Sequence, residues 1–101
     1  MGYQRRHAIV VTGWNAETTT SAHAQANRLG MSVSAIATSP MNQFHSFCVF
    51  PDGSNEGWRE SDFGNECRDE LIKFLNSNPG LDWVEIQYGD DQGETIITRR
   101  S

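Results

Sequence analysis

The residues of this sequence best able to carry chemistry are its three histidines and a run of carboxylates in its second half. His7 and His45 stand beside two apolar runs, at 8–12 and 43–50. Two imidazoles at one end of a sheet could share a phosphate, but that chemistry needs a Ser or Thr two residues after each histidine, and those positions hold Ile9 and Phe47. His23, with Asn27 one turn on, sits in an Ala-rich helical pattern with no nucleophile and base in series. Asp52, Ser54, Glu56 and Glu60 fall at the first, third, fifth and ninth places of a calcium loop, with Gly57 at the sixth. The twelfth place, where calcium needs a bidentate carboxylate, is Phe63, so no metal is expected. A plainer account makes Pro51-Asp52-Gly53 a turn and lets Trp58 pin the loop against the sheet edge. Cys48 and Cys67 are about 19 residues apart without metal or redox spacing, and are expected as reduced, buried thiols.

The elements that must position these residues follow from periodicity. Ala8 to Thr12 is a β-branched run with the profile of a buried strand. Asn15 offers a helix cap, Glu17 suits the first turn, Ala22, Ala26 and Leu29 recur at helical spacing, and Gly30 supplies the stop. Three consecutive threonines, 18–20, weaken that helix start. Ser32 to Thr38 and Gln43 to Phe50 are expected to form a hairpin around Ser39-Pro40-Met41-Asn42. A second helix is capped by Ser61 or Asp62 and repeats Phe63, Cys67, Leu71 and Phe74 or Leu75 on one face. In the strand that follows, Val84, Ile86 and Tyr88 take one face and Trp83, Glu85 and Gln87 the other. A turn at 90–93 and a short strand, Thr95 to Thr98, close the chain.

The order β-α-β-β-α-β with an extra C-terminal β predicts an α+β fold, a ferredoxin-like split βαβ sandwich with two helices on one face of an antiparallel sheet. It is expected as a single domain over 1–101, with its first and third strands as parallel neighbours, placing His7 and His45 at the same end. Trp83, Glu85 and Gln87 are expected on the face away from the helices, where an exposed tryptophan would mark a contact site. The connection from Phe50 to Ser61 is long enough to carry function as well.

Composition narrows the function classes. The chain has 101 residues, 21% of them charged, with a formal net charge of −5. Only Glu17 among the 13 acidic residues precedes residue 51, so the acidity belongs to the second half. That balance disfavours nucleic acid as a partner, because affinity for phosphates comes from clustered Lys and Arg. A core this small disfavours large cofactors, and none is expected. No apolar run is long enough for a membrane span or signal segment, which points to the cytoplasm.

Similar folds supply further tests. The segment Gly13-Trp14-Asn15-Ala16-Glu17 lacks the Gly-rich cradle and Arg of acylphosphatases, and Glu17 would repel a phosphate. The run Gln43 to Phe50 is similar to the third strand of RNA-recognition domains, but His45 and Val10 stand where stacking rings belong. Trp14-Asn15 is similar in position to pocket residues of small dimeric monooxygenases, and equally suits a packing ring followed by a helix cap.

The segments PDGSNEGWRESDFGNECRDELIKFL and DWVEIQYGDDQGET resemble small uncharacterised proteins encoded by tailed bacteriophages and prophages. The resemblance implies expression in the cytoplasm of a bacterial host and an accessory role, and brings no catalytic residues with it. The sequence therefore suggests a small acidic interaction protein rather than an enzyme. A host or phage protein would be bound through Trp83, Glu85 and Gln87 or through Asp52, Glu56 and Trp58. Two alternatives remain. One is a ligand-binding or catalytic domain with a pocket at the sheet or at a dimer interface, lined by Trp14, His45 and Trp58; the other is an RNA-recognition-like module. An open sheet face is compatible with a homodimer.

Overall fold

The computed structural model describes residues 6–51, 59–89 and 95–101. The β-branched run becomes β1, Arg6–Gly13, the central strand. It is followed by α1 (Ala16–Arg28), β2 (Ala37–Thr38), β3 (His45–Val49), α2 (Arg59–Asn76), β4 (Leu81–Tyr88) and β5 (Ile96–Arg100). The sheet order is β2-β3-β1-β4-β5 and every pairing is antiparallel. Two helices on such a sheet, with β3 inserted between β1 and β2, make the ferredoxin-like α+β sandwich, extended by β5 at one edge.

This topology corrects the expected parallel pairing of the first and third strands. β3 runs opposite to β1, with Gly13 facing His45 and Ile9 facing Val49. His7 lies instead beside Gln87, so the two histidines are at opposite ends of the sheet. The chain that leaves β2 turns straight back through residues 39–44 into β3, which fixes that reversal.

Local chemistry explains the helix boundaries. The Asn15 side-chain oxygen accepts from the Glu17 and Thr18 backbone N–H groups at 2.9 and 3.2 Å. Gly30 ends the segment at φ +77, a conformation that costs glycine little. Thr19 is fully buried, and its hydroxyl donates to the Asn15 carbonyl at 2.9 Å, so the threonine run forms a sound first turn. α2 starts at Arg59, before the expected Ser61 or Asp62 cap. Phe63 leaves the buried stripe and is 61% exposed, because a repeat of four drifts about 40° around a helix at each step. Cys67, Leu71, Ile72 and Leu75 hold the core face.

The core lies between the helices and one sheet face, built by Ile9 and Val11 of β1, Phe47 and Val49 of β3, and Leu81 and Trp83 of β4. Trp83 is only 6% exposed and Glu85 2%, which reverses the expected orientation of β4. Val84, Ile86 and Tyr88 therefore occupy the face without helices. The hairpin expected before β3 is shorter than foreseen: β2 is two residues long, and Val33 makes only an isolated bridge to Val49.

Candidate functional site

Glu85 stands at the middle of β4 and is held by three side chains. Arg99 grips it through two hydrogen bonds, Nε to Oε1 and Nη2 to Oε2, both 2.8 Å. The Thr98 hydroxyl donates to Oε1 at 2.7 Å, and Arg68 of α2 brings its Nε to 3.4 Å from Oε2. Arg99 also donates to Asp69 at 2.7 Å, while the Arg68 guanidinium donates to Asn65. Two carboxylates thus balance two guanidinium groups, joining α2, β4 and β5. Burial pushes the Glu85 carboxyl up, but Arg99, Thr98 and Arg68 outweigh it and hold the group below the usual range. The contacts with Glu85 and Asp69 raise Arg99 further above its ordinary value against the effect of burial. An ionised, enclosed carboxylate of this kind is a poor proton acceptor and a good structural tie.

The histidines are structural too. His23 Nε2 donates to the Ser34 carbonyl at 2.8 Å, leaving Nδ1 to accept from the Asn27 amide at 3.3 Å, and the ring meets Phe47 edge-on at 5.3 Å. His45 Nδ1 is 3.0 Å from the Thr38 hydroxyl, and His7 Nε2 donates to the Gln87 side-chain oxygen at 3.2 Å. Among the described residues no group of three His, Cys, Asp or Glu is placed to hold a metal. The Asp52, Glu56 and Trp58 site and the calcium-loop pattern lie outside the described residues, as does any wall that Trp58 would add to a pocket.

Of the remaining sheet-face residues, Trp83 and Glu85 are enclosed and cannot meet a partner, and Gln87 is half-buried against His7. The face they were expected to occupy carries other residues. Register places Ala8 and Val10 of β1, Cys48 of β3, Val84, Ile86 and Tyr88 of β4, and Ile97 of β5 together on it. Val10 is 38% and Ile97 62% exposed. Burial raises the pKa of the Cys48 thiol on this face. Among the described residues the charged side chains Arg6, Asp82 and Arg100 stand at its ends and its β5 edge. Sequence alternation held this signal, but Glu85 and Gln87 made the polar side look like the outer one.

Two of the concavities among the described residues flank the core. One, of about 230 Å³, lies between the end of α1, β3 and α2, with Leu29, Met31, Phe50, Phe63 and Cys67 around Arg68. The other, of about 360 Å³, lies at the far end of the sheet, where Trp14 and Phe44 meet above Thr12, Gly80 and Asp82. Trp14 is thus placed in a pocket wall, whereas His45 turns to Thr38.

No family model matches this chain, and no curated protein does. Among solved structures, a Thermus thermophilus protein described as PII-like and signalling is similar over 97% of this chain and 92% of its own, with a TM-score of 0.49 and 10% identity. Among the described residues no helix is long and apolar enough to cross a membrane.

Proposed function

We propose that this is a small non-enzymatic interaction protein that works as a pair, with the helix-free sheet face of one copy covered by the same face of a second. The carrying observation is the apolar character of that face at its centre, where Val10, Cys48, Val84 and Ile86 lie together, continued by Ile97 on the edge strand β5, with Arg100 opposite Val84 on the same edge. Five strands spaced about 4.8 Å apart and rising about 3.3 Å per residue project roughly 450 Å², so two faces cover at most about 900 Å², the size of a small, weak interface. The edges favour a face contact over strand addition, because β2 is two residues long and β5 carries a bulge and two arginines. The exposed carboxylates of α2, Asp62, Glu66, Asp69 and Glu70, lie on the helix side of the sheet and so stay outside the pair, available to a host or phage protein in line with the phage resemblance. The tied histidines and the locked Glu85 argue for binding rather than turnover.

Light scattering coupled to size exclusion is expected to give twice the 11.3 kDa chain mass, and Val10→Lys a folded monomer. A monomeric wild-type protein at micromolar concentration and above would sink the proposal.

A further inference from the structure

We propose that the corner between Trp14 and Phe44 binds an organic cation, an alkylammonium or guanidinium group, with Asp82 as its counter-ion. The rings meet edge to face, with centroids 6.3 Å apart and planes at 74°, so the angle between them brings an open ring face and the margin of a second to one point in space. The negative faces of aromatic rings attract a cation at that point, and a carboxylate beside them adds its full charge. Asp82 lines the same concavity, and Lys, Arg and His are missing from its described walls. Among the described residues Asp82 has no ion pair to satisfy it.

Exposure supports the same conclusion. Trp14 is 74% exposed directly after β1, although a tryptophan gains most when its large apolar surface is covered. Phe44, at 38%, leaves the concavity open on the other side. The backbone holds both residues in place: Gly13 is buried in the strand end, Asn15 caps α1, and the Phe44 N–H donates to the Asn42 side chain at 3.2 Å. An anion would meet Asp82 unfavourably, whereas a cation gains from its charge. The concavity lies at the end of the sheet and needs no second copy of the chain, so its failure and failure of the dimer are separate results.

The cation could be a free small molecule or a basic side chain of a polypeptide, and two probes distinguish them. Tetramethylammonium and N-acetyl-arginine amide would be titrated while following the Gly13 and Gly80 backbone amide resonances, with tert-butanol and N-acetyl-citrulline amide as uncharged counterparts. Saturable shifts are expected for the cations, with dissociation constants on the order of millimolar, and tighter binding of the arginine derivative would mark a peptide ligand while tighter tetramethylammonium would mark a free one. Trp14→Ala is expected to abolish saturation, and Asp82→Asn to weaken it by about fivefold or more. Both positions are exposed, so folding is preserved, which the unchanged core methyl spectrum would verify. Equal responses to charged and uncharged probes, no saturation with either cation, or an Asp82→Asn variant that binds as well as wild type would each overturn the proposal.

Discussion

Glu85 shows how one side chain can invert the apparent polarity of a strand. A carboxylate between Val84 and Ile86 looks like a solvent-facing residue, yet it is 2% exposed because Arg99, Thr98 and Arg68 meet all of its needs. Glu85→Gln removes the negative charge and leaves Arg68 and Arg99 with Asp69 alone. The expected cost is about 2–3 kcal/mol in urea unfolding, toward the lower side for a buried pair because Arg99 is 39% exposed at its side chain and can be hydrated. The pH dependence has a definite sign. The folded carboxyl lies below its ordinary value, so its stabilisation is fully present above about pH 4.3 and is lost as pH falls through the folded pKa. Urea midpoints measured across that window should fall more steeply in wild type than in Glu85→Gln.

At the level of elements, the joint between β1 and α1 leaves no room for a side chain. A Cβ on Gly13 would lie 2.6 Å from the Thr19 hydroxyl oxygen and 2.7 Å from a Leu81 methyl, both in buried surroundings. Gly13→Ala is therefore expected to destabilise by about 1–3 kcal/mol, seen as a lower thermal midpoint with unchanged helix content. This joint also shows what the sequence made legible. Asn15 and Gly30 mark α1 by short-range chemistry, and the alternation of β4 correctly groups its residues into two faces. Which face meets the helices was not legible, because it depends on Arg99 and Arg68, far from Glu85 along the chain. Trp14 could be singled out as a pocket residue, but its partners Phe44 and Asp82 come together only through the register of β3 and β4 on β1. The histidine pair failed for the same reason, since strand direction is a property of the connections and not of either strand.

For the molecule as a whole, the sandwich is finished on one side and open on the other. Helices cover Ile9, Val11, Phe47 and Trp83, while the opposite face keeps β-branched side chains at its centre and places its charges at the rim. In the proposed pair a second copy would supply an apolar surface of the same size and character, and an isologous pairing would close without exposing a further sticky face. The concavity at Trp14 and Phe44 then lies at the end of each sheet, outside the paired centre. The most direct test of this arrangement is a mixed-label NMR experiment that detects contacts only between copies, using methyl groups of Val10, Val84, Ile86 and Ile97. Intermolecular contacts among those methyls are predicted, and they should vanish in Val10→Lys. A wild-type sample in which these methyls contact only their own chain would contradict the account.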